Sequence, residues 1–401
     1  MSDGERSQHI MQTAQTAQPS AALCRWLSGA LRVPEATLNV HQIAGDASPR
    51  RYFRVSLCGG SPATSRQAPA APDLAIPEQA PPDEPSKPSV AVLTEGDTLI
   101  AASSPPSENN EAFLAVQKLL HQAGLTVPTL LASDLDSGFF LMEDFGDVLL
   151  SARLAPATVD HLYAQALGEL SRLARLPCGD VDLPIFDAQR IADELSVFPE
   201  WFLQEHLGLA QADLPPAIWQ ELLALFVSVF KGQSQCVVHR DFHCRNLMCL
   251  DDGALGVIDF QDAVIGPITY DPVSLLKDCY VLWHRDDQLR WLELYRQRLK
   301  SLGLSIGESK AFQIGFDMSG LQRHLRVLGV FARLSLRDGK SAYLNDLPLV
   351  LHYVREVLAL YDAIPVLKDF SEWFEVDIMP KITRQAWYAE VVIPAPLELL
   401  P

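Results

Sequence analysis

Three oxygen-bearing side chains at fixed spacing define the chemistry open to this chain: Asp241, Asn246 five residues later, and Asp259 after a further thirteen. An apolar pair, Val237 and Val238, leads into His239-Arg240-Asp241-Phe242-His243-Cys244-Arg245-Asn246, and a second β-rich run, 255–258, leads into Asp259-Phe260. Two strands that feed two loops can deliver all three groups to one place. Moving a phosphoryl group depends on positioning and on neutralising charge. Its minimum equipment is a carboxylate that collects the acceptor's proton, beside an amide oxygen and a second carboxylate that can hold Mg2+. Asp241 is therefore the candidate catalytic base, and Asn246 and Asp259 are the candidate metal ligands.

The spacing H-R-D-x-x-x-x-N followed by D-F is the grammar of kinase catalytic loops. A protein kinase would continue with D-F-G and a long activation segment ending in A-P-E. Here Gln261 stands in place of that glycine, and Gly266-Pro267-Ile268-Thr269-Tyr270-Asp271 follows almost at once. No room remains for an activation loop, which points to a constitutive kinase of a small molecule. Asp271 opens a helix, where a carboxylate can cap amides and brace the catalytic loop, with His239 and Arg240 as further structural support.

Two segments upstream could handle a nucleotide. Gly45-Asp46-Ala47-Ser48 forms a small-residue tip before Pro49-Arg50-Arg51-Tyr52-Phe53-Arg54. Gly45 allows close backbone approach, and Asp46, Ala47 and Ser48 bring amides or a hydroxyl to phosphate oxygens; a plain hairpin is the alternative. The later strand, with Thr98-Leu99-Ile100-Ala101, carries no Lys for those phosphates, so Arg51 or Arg54 is expected to supply the charge. Glu143-Asp144-Phe145-Gly146-Asp147 interrupts an apolar strand pattern as an interlobe hinge would, making Glu143 and Phe145 candidate adenine contacts; a solvated turn is the other reading.

Periodicity supplies the elements that must hold these groups. An amphipathic helix is expected over 21–31, strands over 38–44, 52–57, 90–93 and 98–101, a helix over 110–123, and strands at 130–131 and 139–142. Helical periods then recur through 157–176, 188–207, 217–230, 273–283, 289–302, 310–337 and 347–363. The fold class is α+β: a protein-kinase-like two-lobed fold with a small β-rich N-lobe (21–142) and a larger, mainly helical C-lobe (143–367). Residues 1–20 and the Pro/Ala/Ser-dense insertion 59–89 read as disordered, and 368–401 as a C-terminal tail.

At 401 residues, two lobes with a sizeable core are affordable. With 32 basic against 50 acidic residues the formal charge is −18, which repels nucleic acid and anionic membrane. The expected partner is a small molecule bound by a monomer, with no nucleic acid and no membrane. Seven scattered cysteines, without a C-x-x-C pair, suggest reduced thiols and no zinc ribbon. The first twenty residues lack the apolar core of a signal peptide, and no run of eighteen apolar residues occurs. A cytoplasmic protein is expected.

The motif H-x-D-x-x-x-x-N with I-D-F resembles the aminoglycoside phosphotransferase and choline kinase superfamily. Within it, Gly45 to Arg54, Glu194 to Leu209 with its Phe198-Pro199-Glu200-Trp201-Phe202-Leu203 core, Val238 to His243, Ile258-Asp259-Phe260-Gln261-Asp262-Ala263 and Gly320-Leu321-Gln322-Arg323-His324-Leu325 resemble the anomeric N-acetylmuramate/N-acetylglucosamine kinases of bacterial cell-wall recycling. The resemblance covers most of 21–365. It implies ATP and Mg2+ as cofactors, a sugar as substrate phosphorylated at its C1 hydroxyl, and a product that feeds UDP-sugar synthesis. His243, Asp262, Arg323, His324 and Arg326 are the candidate substrate contacts, with Arg323 and Arg326 sharing a helix face at i, i+3 where they could meet a lactyl carboxylate. Ser103 stands where that branch typically carries an Asp. An aminoglycoside or amino-alcohol phosphotransferase, and a non-catalytic nucleotide-binding partner, are the competing readings.

Overall fold

Ser20 accepts a hydrogen bond from the Leu23 amide and so starts α1 (Ala21–Leu31), whose Leu23, Leu27 and Leu31 recur on one face and are all buried. The computed structural model describes residues 18–43, 49–58, 93–94, 96–180 and 182–398. The chain divides into two compact units, one built on residues up to Asp147 together with Met248–Ile258, the other on Val148–Leu247 and the chain from Asp259 onward. Residues 59–89 and 1–17, expected to be disordered, and the strand positions 90–92 lie outside the described residues.

In the first unit α1 is followed by β1 (Leu38–Gln42), β2 (Arg51–Leu57), β3 (Leu99–Ser103), α2 (Asn110–Gln122), β4 (Leu130–Asp134) and β5 (Phe139–Glu143). The strands form one antiparallel sheet in the order β1-β2-β3-β5-β4. Register places Phe53 opposite Ala101 and Ala101 opposite Leu141, and these pack with Val55, Phe139 and the three α1 leucines into one core. On β3, Ile100, Ala101 and Ala102 are all buried, so both sheet faces are covered there. The Phe113 ring of α2 meets the Phe140 ring of β5 at 5.2 Å.

The second unit is mainly helical: α3 (Val159–Leu173), α4 (Ala188–Leu195), a π-helical turn (Phe198–His206) and α5 (Pro216–Lys231) precede β6 (Gln235–Val238). The chain then passes through β7 (Leu247–Cys249) and β8 (Leu255–Val257), which pair with each other and fall almost wholly in the Met248–Ile258 stretch of the first unit, before β9 (Val264–Pro267) of the second unit pairs with β6. Then α6 (Tyr270–Leu276), α7 (Arg285–Ser301), α8 (Ser309–Leu336), α9 (Leu347–Leu360) and α10 (Pro365–Trp373) complete it. Along α8, residues on every side are buried, apolar Phe316, Leu321, Leu325 and Leu328 alternating with Asp317, Gln322, Arg323 and His324. A helix buried all round is a core element.

Three expectations need correction. The period read as one helix over 188–207 breaks after Leu195 into the π-helical turn, which packs against α8. The helix expected over 273–283 stops at Leu276, because the next two residues are claimed by tertiary partners. Lys277, with no exposed surface, sits 2.8 Å from Glu356 and 3.4 Å from Asp317, while Arg285 meets the same two carboxylates at 3.1 and 2.7 Å. Two cations and two carboxylates close at neutrality, the condition under which buried charge is tolerable. The first part of the segment read as a C-terminal tail is packed, since Phe370, Trp373, Phe374, Ile378 and Ile382 are buried and the Trp373 indole donates to the Asp213 carbonyl at 3.0 Å.

Gly329 of α8 meets the π-helical turn so closely that an added Cβ would lie 2.4 Å from the backbone carbonyl of Val197. Gly329→Ala should therefore destabilise the protein by about 1–3 kcal/mol in a denaturant titration. Glu293 accepts from Arg296 and also ties α7 to Ser309 at the start of α8. The Arg296 guanidinium, followed by Gln297 and Ser309, holds its carboxyl down to about 2. With the folded value below the unfolded one (about 4.3), the stabilisation is present above the unfolded value and is lost as pH falls through about 2. Glu293→Gln should flatten the stability profile in that acid window and leave it unchanged in shape near neutrality.

Candidate active site

The chain leaves β6 through His239 and turns at Arg240, whose φ of 76° is left-handed and unfavourable for a side-chain-bearing residue. That turn points two backbone amides away from the strand ladder, and the Asp271 carboxylate takes both, His239 N at 2.7 Å and Arg240 N at 2.9 Å. Ser274, one turn along α6, donates to the Arg240 carbonyl at 3.0 Å. Burial pushes Asp271 up to about 7, and the two amides pull it back. Further on, Asp278 accepts from the Cys244 amide at 2.9 Å and the Tyr280 amide at 3.1 Å, and the Ser151 amide donates to the Cys244 carbonyl. Burial, then the neighbouring Asp278, pushes the Cys244 thiol far up.

So held, the loop brings the three motif residues together. The Asn246 amide donates to the Asp241 carbonyl at 2.9 Å and to an Asp259 oxygen at 3.3 Å. Asp259 is itself left-handed, with φ 63°, and its other oxygen accepts from Gln261 at 2.8 Å. Desolvation on its inner side pushes the Asp259 carboxyl up, with Gln261 opposing and Asp241 adding repulsion. A cation would relieve both. Among the described residues no cluster of three or more His, Cys, Asp or Glu stands ready for a metal. The donor set fits Mg2+ in its other mode, since one carboxylate and one amide leave most of the octahedron to water and phosphate oxygens.

Asp241 is ringed by guanidiniums. Burial raises its carboxyl, but Arg326, Arg323 and Arg240 outweigh that and hold it well below the usual carboxylate range. Arg323 Nη1 lies 3.6 Å from Asp241. Arg240 donates to Glu194 at 2.7 Å and to the Asp262 carbonyl at 3.4 Å, and Arg326 meets Glu194 at 3.5 Å. The buried Tyr270 hydroxyl, without a hydrogen-bond partner, feels this same cluster. Glu194, Tyr270, Ser274 and Asp278 were not among the candidate site residues read from the sequence; Glu194 and Tyr270 stood inside segments singled out there, whereas Ser274 and Asp278 had no signal beyond polar positions in an apolar helical period.

The remaining candidates divide. His243 lies 3.5 Å from the Asn246 amide with its ring edge-on to Tyr280, and Asp262, exposed, contributes its carbonyl to Arg240. His324 points elsewhere: it is fully buried, contacts the Lys277 carbonyl at 3.0 Å and stacks on Tyr353 at 4.8 Å. Burial pushes it down to about 3, so it is a neutral core residue and no substrate contact. Consecutive helix positions face different ways, and Arg323 takes the side toward Asp241.

In the first unit, Gly45, Asp46, Ala47 and Ser48 lie outside the described residues. Arg54 is already spent. Its guanidinium makes two bonds to Asp144, at 2.6 and 3.0 Å, one to Asp147 at 2.9 Å and one to the Gly146 carbonyl at 3.2 Å. It braces the 144–147 turn, which leaves the exposed Arg51 as the nucleotide-charge candidate of the pair. Glu143 accepts from the Thr129 amide at 3.2 Å, and the Phe145 ring lies against Gly256, where a Cβ would come within 2.5 Å.

Asp271→Ala would orphan two buried amides, each worth about 1–3 kcal/mol. We expect stability to fall by that order in chemical denaturation and kcat to drop with it. Asp271→Asn, which keeps an acceptor for one amide, should lose less of both.

Comparison with known proteins places the chain. Residues 39–305 match the model of the phosphotransferase enzyme family. An N-acetylmuramate/N-acetylglucosamine kinase of Pseudomonas putida is 39% identical over 261 residues, 65% of this chain and 76% of the relative. A protein of the same name from Neisseria meningitidis serogroup B is 36% identical over 277 residues, 68% and 82% of the two chains. In fold, a Plasmodium vivax ethanolamine kinase superposes with a TM-score of 0.57 at 9% identity, covering 92% of this chain and 97% of its own. The architecture is thus kinase-like, and the chain belongs to the phosphotransferase enzyme family, among whose members are its N-acetylmuramate/N-acetylglucosamine kinase relatives.

Proposed function

We propose that this phosphotransferase moves the γ-phosphoryl group of ATP to the anomeric hydroxyl of N-acetylmuramate and N-acetylglucosamine. One observation carries the choice of acceptor: Arg240, Arg323 and Arg326 surround Asp241 in a chain of formal charge −18. A polycationic aminoglycoside or a choline-like cation would bring its charge against those guanidiniums, whereas a neutral or anionic sugar is accommodated. The names of the curated relatives support the same reading.

In this reading Asp241 accepts a hydrogen bond from the attacking hydroxyl, orients it, and takes its proton late. A strongly ionised carboxylate is a weak base. That suffices, because an anomeric hydroxyl is more acidic than an ordinary alcohol and the transfer demands little nucleophilic push. Asn246 and Asp259 would hold Mg2+, which would supply positive charge to offset that of the phosphates. Arg240, tied to Glu194, keeps its charge beside Asp241 without leaving the loop. Asp271, Ser274 and Asp278 fix the backbone on which Asp241 and Asn246 ride. The sugar 1-phosphate would feed nucleotide-sugar synthesis in the cytoplasm. None of the seven cysteines is in a disulfide, which suits that compartment, and no helix among the described residues is long and apolar enough to cross a membrane.

Phosphorus NMR of protein, ATP and Mg2+ with each sugar, an aminoglycoside or choline tests this. The expected product is a sugar 1-phosphate, seen as a doublet coupled to H1. Asp241→Asn should cut kcat by about 10²–10⁴-fold while ATP still binds. Product only with an aminoglycoside or choline overturns the acceptor, and no product in any tube overturns the reaction.

A further inference from the structure

The face of α8 that carries Arg326 continues past the active site. Val330 and Arg333 follow at i+4 and i+7, on the same side of the helix. With the stretch from Pro184 to Val197 they line a cavity of about 620 Å³, the size range of small-molecule sites. Glu194 and Arg326, 3.5 Å apart, both line it, and the Arg326 charge also acts on Asp241, which links the cavity to the proposed base.

The carboxylates lining it are engaged within the protein. Asp187 caps α4 through the Arg190 amide at 2.9 Å, Asp193 accepts from Gln189 at 2.8 Å, and Glu194 is held by Arg240. Arg333 is the contrast. Its Nε is buried without a hydrogen-bond partner, and no carboxylate among the described residues lies within ion-pair distance of it. Burial and the nearby Arg337 and Arg326 charges push its guanidinium down from its ordinary value, with Asp338 and Glu200 opposing from beyond ion-pair distance. A half-buried guanidinium crowded by two others is costly unless an anion completes it. Helical side chains lean toward the helix N-terminus, which carries the Arg333 head back over Val330 toward Arg326 and the base.

We propose that Arg333 is a specificity-determining residue that receives the carboxylate of the lactyl ether, the group that distinguishes N-acetylmuramate from N-acetylglucosamine. A planar guanidinium fork matches a carboxylate through two parallel hydrogen bonds, and an unadorned C3 hydroxyl offers no such partner. This rests on the sugar-kinase reading above and adds to it the group that separates the two acceptors.

The test is steady-state kinetics of wild type, Arg333→Leu and Arg333→Lys on N-acetylmuramate, its methyl ester and N-acetylglucosamine. Loss of one charge-assisted pair should raise KM for N-acetylmuramate by about 10–100-fold in Arg333→Leu, with kcat little changed. Turnover of N-acetylglucosamine should stay within about twofold, which also shows that the variant is folded. Arg333→Lys should fall between, and the wild type should treat the methyl ester as it treats N-acetylglucosamine. Equal effects on both sugars, or no effect on N-acetylmuramate, would overturn the role of Arg333 while leaving the kinase reading in place. A wild type that phosphorylates neither sugar defeats the kinase reading itself, and this inference with it.

Discussion

A loop that presents Asp241 has to abandon the β6 ladder, and doing so strands the amides of His239 and Arg240 in a buried place. The Asp271 carboxylate takes both, and the left-handed turn at Arg240 persists only because that bond overdetermines it. Everything the site does follows from this grip. The same short helix sends Ser274 to the Arg240 carbonyl, and its exit sends Asp278 to the Cys244 amide. Three side chains from one eight-residue stretch thus hold Asp241 and Asn246, the proposed base and metal ligand, through the backbone of their loop.

Charge is arranged on two scales. Over the whole molecule the excess is acidic, and at distances beyond about 8–10 Å salt screens it. Around Asp241 the sign reverses, with Arg240, Arg323 and Arg326 on one side and Glu194 as the tie that stops them from simply repelling one another. The core uses a different solution: Lys277, Arg285, Asp317 and Glu356 cancel outright, with the Tyr361 hydroxyl on Asp317 completing the set. One cluster is balanced and closed, the other is positive and open to a ligand.

Local spacing carried the motif residues in the sequence, because strand, loop and strand are contiguous and their side chains meet within twenty residues. Amphipathic periods likewise located nearly every helix. What stayed hidden depends on partners far along the chain. Arg54 reads as a free cation until Asp144, ninety positions away, occupies it. His324 reads as a site residue beside Arg323 until the helix is placed and the two diverge, one to Asp241 and one to Tyr353. The apolar period through 273–283 gives no hint that Lys277 and Asp278 end the helix, since their attractions to Glu356 and to the Cys244 amide are tertiary. The aromatics after Pro365 looked like a tail because nothing nearby in sequence shows what they cover.

Cys244 lies between Asp241 and Asn246, the proposed base and metal ligand, a position where an ionised sulfur would attack electrophiles and bind soft metals. Buried beneath the loop and facing the negative Asp278, it stays protonated, and a protonated thiol is neither nucleophile nor easy prey for peroxide. Burial and that neighbouring charge both work against oxidation of the sulfur at the centre of the loop. Damage would start instead at solvent-facing Cys58, remote in sequence from the catalytic loop.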